Sequence, residues 1–148
     1  MKVSSIFENM QEIPLKYTYD GDNINPLLEV EEIPYGTKTI VIIVDDPDAS
    51  SGTFTHWLVW DIFVNEIIMR VNEKSRLGII GINDFGNIKY DGPCPPKHSG
   101  KHHYFFKVYA LNSELELSKG STKQELERIM QGKIIEKATL IGIYSRDY

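Results

Sequence analysis

Cysteine is nearly absent from this chain. Cys94 stands alone among 148 residues, so no intrachain disulfide can form. That predicts a reducing compartment, the cytoplasm. Long apolar runs are missing too. None approaches the ~20 residues that span a bilayer, so no integral membrane segment is expected. Met1 to Pro14 carries Lys2, Glu8 and Glu12 and lacks an apolar stretch, so it does not read as a signal peptide. Positive charge is in deficit. Sixteen Lys and Arg face 21 Asp and Glu, a net charge of −5. A duplex-binding surface needs a basic patch. The one concentrated basic stretch, Lys97 to His103, is too short to make one, so no nucleic-acid partner is expected. There is no internal repeat, low-complexity segment or linker rich in Pro or Ser.

What is present is one domain's worth of strands. Residues 1–148 read as a single domain, long enough to bury a real core. Thr39 to Val44 is a β-branched run stopped by Asp45-Asp46-Pro47-Asp48. It is apolar on both faces, which predicts a central strand covered on each side. Further strands are expected at Thr55–Asp61, His102–Leu111 and Ala138–Tyr144. Shorter ones are expected around Leu15–Tyr19, Asn65–Val71 and Glu114–Leu117. One helix is clear. Ser121 or Thr122 caps it, Glu125 sits three residues after Thr122, and Leu126, Ile129 and Met130 supply the apolar spacing. Gly132 is placed to end it. Leu77 to Lys101 is a long loop rich in glycine and proline, and loops of that length are usually functional. Many strands and little helix predict a mainly β protein, an antiparallel β-sandwich with one or two short peripheral helices. Strict alternation puts His56 on a face with Leu58 and Trp60. It puts His102 on a face with Tyr104, Phe106 and Val108.

Three polar clusters stand at strand ends or on the long loop: Asp45 to Asp48, His56, and His98 to Tyr104. The segment Gly92-Pro93-Cys94-Pro95-Pro96 ahead of the last cluster is stiffened by its prolines. Rigid loops beside strand ends are where pockets form. Several ordered motifs match a known family. They are Ile13 to Thr18, Asp20-Gly21, Asn23-Ile24, Val44 to Ala49, Gly52 to Trp57, Asn83 to Gly86, Gly92 to Pro96 and His102 to Phe106. On these the chain resembles the phosphatidylethanolamine-binding proteins in their short bacterial and archaeal form, over nearly its whole length. The resemblance implies a β-sandwich and a small pocket for phosphate, phosphorylethanolamine or similar anions. It implies ligand binding by Asp46, His56, His102 and Tyr104, walls from Pro95 and Pro96, and the backbone near Gly100 beside them. Asp48 would brace the Asp-Pro-Asp turn, and Trp57 would support His56. Two departures stand out. Ser50 replaces the proline that usually ends the acidic motif, and His103 replaces the usual arginine.

Two histidines and a tyrosine hydroxyl suit a phosphoryl group as donors. Asp46 can hold one histidine in a single tautomer. Binding is expected to strengthen as pH falls through ~6.5. The polar pocket residues argue for a headgroup rather than a buried acyl chain. A second reading, also implied by the resemblance, is a protein partner, a serine protease or a kinase, docked on the rim at Ser50–Thr55 or Asn83–His103. A homodimer is compatible with the apolar edges. A hydrolase using Asp, His and Tyr as acid and base is a third reading. No Gly-x-Ser-x-Gly elbow accompanies Ser99, so an enzyme is not the expectation. His98 and His102 lie on a loop, where their spacing fixes no geometry. No metal and no cofactor is expected.

Overall fold

The computed structural model describes residues 1–147. In chain order the strands are β1 (Lys2–Ser4), β2 (Gln11–Glu12), β3 (Leu28–Glu31), β4 (Thr39–Asp46), β5 (Phe54–Phe63), β6 (Met69–Val71), β7 (Ile79–Ile80), β8 (His102–Leu111) and β9 (Ile134–Tyr144). One helix, α1 (Lys123–Met130), lies between β8 and β9. Six strands form one sheet in the order β2-β9-β8-β4-β5-β7, and β1-β3-β6 form a second. Pairing is antiparallel except for the two-residue parallel contact of β2 with β9. Among the described residues no helix is long and apolar enough to cross a membrane.

The two-residue period of β4 explains its double coverage. Ile40, Ile42 and Val44 join one buried cluster with Leu28, Val30 and Val71 of the small sheet. Val41 and Ile43 join another with Leu126 and Met130 of α1. A strand apolar on both faces is therefore central, flanked by β5 and β8. Each fully buried large side chain removes apolar area worth about 1.5–3 kcal/mol. The helix starts as its sequence signals. The Thr122 hydroxyl accepts from the Glu125 amide, and the Glu125 carboxylate accepts from the Thr122 amide. It ends at Met130, ahead of Gly132 at φ 79°.

Three short strands expected from the sequence change. Leu15–Tyr17 is a 3₁₀ turn, because Pro14 fixes the entry and its carbonyl accepts from the Tyr17 amide. Glu114–Leu117 is not a strand. The Leu115 amide donates to Asp61 and the Leu117 carbonyl accepts from Trp60, which lays the segment across the sheet. The expected strand Asn65–Val71 shrinks to β6. All peptide bonds among the described residues are trans, including the one before Ser50.

Candidate functional site

The ends of β4, β5 and β8 converge on one cavity. Its geometry depends on a register break. Val44 pairs with Trp57, but Asp45 pairs with Thr55, so His56 is an extra residue in β5. The sequence expectation that His56 shares a face with Leu58 and Trp60 is corrected by this bulge. Leu58 and Trp60 pack toward α1. His56 turns instead toward Tyr104, with ring centroids 5.3 Å apart. Bulges re-aim side chains in this way.

The cavity has a volume of about 230 Å³. Asp46, His56, Pro95, Pro96, His102 and Tyr104 all line it. Gly100 is not among the lining residues. Asp48 and Trp57 are also outside: Asp48 is at the surface, and Trp57 is buried edge-on against Tyr90. Sequence reasoning missed the aromatic wall of Phe54 and Phe85 and the lining by Ala49, Ser50, Ser51 and Cys94. The site is thus less polar than the sequence implied. A larger hollow of about 770 Å³ runs along residues 61–78, lined by surface charges such as Glu66, Arg70 and Lys74.

The polar groups are held individually. His102 Nδ1 lies 2.7 Å from Asp46 Oδ2, and its Nε2 lies 3.1 Å from Ser99 Oγ. The other Asp46 oxygen accepts from the Asp48 amide at 2.7 Å. Asp46 therefore closes the Asp-Pro-Asp turn, the role the resemblance implied for Asp48. Asp48 instead accepts from the amide and Nδ1 of His103 at 2.8 and 2.7 Å. Burial alone would raise the Asp48 pKa, but the His103 contacts outweigh it and hold it below the usual carboxylate value.

His56 Nδ1 donates to the Asp91 carbonyl at 2.7 Å, and the Asp91 amide returns a bond to the His56 carbonyl at 3.2 Å. Burial pushes the His56 pKa below the ordinary histidine value, against weaker pulls from the Asp91 carbonyl and the Asp46 carboxylate. The ring is therefore neutral at pH 7, with the proton on Nδ1 and an acceptor lone pair on Nε2. The one ring hydrogen bond of full geometry among the described residues is on Nδ1, with the Gly92 backbone also acting on the ring. The Tyr104 hydroxyl is buried with no partner among the described residues. Burial, assisted by the Asp46 charge, raises its pKa far above the usual tyrosine value. It remains a neutral donor.

Behind the cavity, Asp91 is saturated. Asn23 and Lys89 meet one carboxylate oxygen at 2.9 Å, and Asn83 and Asn87 meet the other at 2.8 and 2.9 Å. Gly92 follows, where a Cβ would lie 2.2 Å from the Tyr17 carbonyl, so only glycine lets the loop pass. Among the described residues no cluster of three His, Cys, Asp or Glu could hold a metal.

The family model described as phosphatidylethanolamine-binding protein matches residues 3–145. A UPF0098 protein of Pyrococcus horikoshii is 49% identical over 99% of this chain and 77% of its own length. One of Aquifex aeolicus is 49% identical over 97% of this chain and 87% of its own. The crystal structure of a phosphatidylethanolamine-binding protein homologue from Chlamydia trachomatis superimposes with a TM-score of 0.89 at 35% identity, covering 98% and 97% of the two chains. That of E. coli YbcL gives 0.88 at 25% identity, covering 97% of each.

Proposed function

The chain belongs to the phosphatidylethanolamine-binding protein family, and we propose that it is a binding protein whose cavity takes phosphate or a small phosphoryl headgroup together with one proton. The Tyr104 hydroxyl carries this reading. A buried hydroxyl without a partner costs about 1–3 kcal/mol. A ligand oxygen accepting from it removes that cost. The His56 Nε2 beside it is an acceptor when neutral, so it asks the ligand for a hydrogen. A phosphate monoanion offers both, an oxygen for Tyr104 and a hydroxyl for His56. A protonated His56 facing a dianion amounts to the same proton count. Asp46, His56 and Tyr104 are the charged and titratable groups that decide it, with the Asp91 carbonyl fixing the His56 tautomer. The cavity of about 230 Å³ is smaller than the ~300 Å³ at which drug-sized sites begin. It suits a headgroup and leaves no room for the long acyl chain of a lipid. A cytoplasmic location fits the lone thiol.

Calorimetric titration with phosphate and with O-phosphorylethanolamine at pH 6 tests the reading. Binding to the wild type that is lost in His56→Ala, with the variant still folded by thermal melting, is the expected result. Equal binding to both proteins overturns the assignment.

A second reading has its own support. Tyr19, about half exposed, stacks on Phe85 at 5.6 Å, and Phe85 meets Phe54 edge-on at 4.8 Å. This aromatic strip runs from the cavity wall to the surface and fits a protein partner, a protease or kinase, docked on the rim.

A further inference from the structure

His102 is held at both ends of its ring. Asp46 Oδ2 lies 2.7 Å from Nδ1, and Ser99 Oγ lies 3.1 Å from Nε2. Asp46 and His102 are only 3% and 5% exposed, whereas Ser99 is open to solvent. With the ring proton drawn to the buried carboxylate, Nε2 presents its lone pair to a hydroxyl. A nucleophile within reach of a base that is oriented by a third group is the signature of an activated serine.

The turn that carries Ser99 adds to this. The residues on either side both have left-handed backbones, His98 at φ 63° and Gly100 at φ 84°. Histidine is among the non-glycine residues that adopt this conformation most readily, and His98 is one of several here that do. The His98 amide donates to the Arg146 carbonyl at 2.8 Å, and the Ser99 amide donates to the Pro96 carbonyl at 3.2 Å, so the turn is pinned on both sides. The Ser99 hydroxyl also reaches the Pro96 carbonyl at 2.7 Å. It has one hydrogen to share, and swinging it from Pro96 to His102 needs only a rotation of the hydroxyl. The amides of Gly100 and Lys101 donate to no group among the described residues. Both residues are exposed, so solvent reaches these amides.

We propose that Ser99, His102 and Asp46 form a serine nucleophile, its base and the base's orienting acid at the cavity rim, acting on small acyl esters. Pro96 and His102 both line the cavity and both contact Ser99 Oγ. A short acyl group lying against Phe54 and Phe85 would bring its carbonyl to that oxygen. In the first step Oγ bonds to the carbonyl carbon and its proton passes to His102 Nε2. The bond from carbon to the alcohol oxygen then breaks, and the alcohol leaves with that proton. Water repeats the sequence on the acyl-serine, giving the free acid and restoring Ser99. This activity goes beyond phosphate binding. That reading rests on Tyr104 and His56, so either can fail alone.

The test is covalent. The purified protein is treated with a small fluorophosphonate, whose fluoride is displaced from phosphorus by an activated serine oxygen, and the adduct is mapped by mass spectrometry. One adduct on Ser99 is expected, with none on the exposed rim serine Ser51. Ser99→Ala, a surface change, should be unlabelled yet still bind phosphate. His102→Gln should label at least ~100-fold more slowly, the lower range for loss of a general base. No adduct on the wild type, equal labelling of Ser51, or a His102→Gln rate within twofold of the wild type would each overturn the proposal.

Discussion

Asp91 and Tyr104 are both buried, both polar and both close to His56, yet they are treated in opposite ways. Each Asp91 oxygen meets two donors, from Asn23, Lys89, Asn83 and Asn87. The Tyr104 hydroxyl meets none. Burial would raise the Asp91 pKa, but those donors outweigh it and hold it below the usual carboxylate value. A saturated polar group locks a loop in place. An unsaturated one, at the same depth, is a demand waiting for a ligand. The Asp91 cluster is the brace, and the cavity is what it braces, because the Asp91 backbone grips His56 from both sides.

The largest expected effect breaks the brace. Asp91→Ala removes the shared acceptor of three amides and an ammonium, Asn83 being the fully buried one, and should cost about 3 kcal/mol, a fall in melting temperature of roughly 6–12 °C. Denaturant titration measures it, and a loss under ~1 kcal/mol would erase the distinction between the two clusters. The converse is Tyr104→Phe. Removing an unpartnered hydroxyl should leave stability unchanged or slightly raised, while phosphate affinity drops about tenfold, the value of one hydrogen bond to a charged acceptor. The smallest effect is a slope. The folded His56 pKa is depressed, whereas the unfolded value is ~6.5. The stability from keeping the ring neutral is fully present above ~6.5 and is lost as pH falls toward the folded value. Melting between pH 7 and pH 5 should decline in the wild type and flatten in His56→Gln. The depressed carboxylates, Asp48 and Asp91, lose their contribution only below the usual carboxylate pKa and leave this window clear.

Long runs made the framework legible. β4 and β8 read as strands because eight or ten residues carry a clear period, and α1 reads as a helix because Thr122 and Glu125 cap each other. Strands of two to four residues, such as β1, β2 and β3, are too short to show one. They exist because tertiary packing pairs them. Asp46, His102 and Tyr104 were legible as neighbours through the resemblance to the family, their polar clusters standing at strand ends. The side to which His56 turns was not, because a bulge is a property of two paired strands. Alternation along one strand therefore gave the wrong face. The Phe54 and Phe85 wall went unseen for a related reason. Phe85 comes from a loop that Asp84 ties to Thr55 through bonds of 2.7 and 2.9 Å, contacts that no local pattern announces.

The central claim is that the cavity takes its phosphoryl ligand with a proton. The direct measurement is calorimetric titration of the wild type with O-phosphorylethanolamine at pH 7.5, in two buffers of different ionisation enthalpy. At that pH the ligand is the dianion, since its second pKa is ~6. The account predicts uptake of about one proton per ligand bound, by the His56 ring or the phosphoryl oxygen facing it. Binding with no net proton uptake would contradict it.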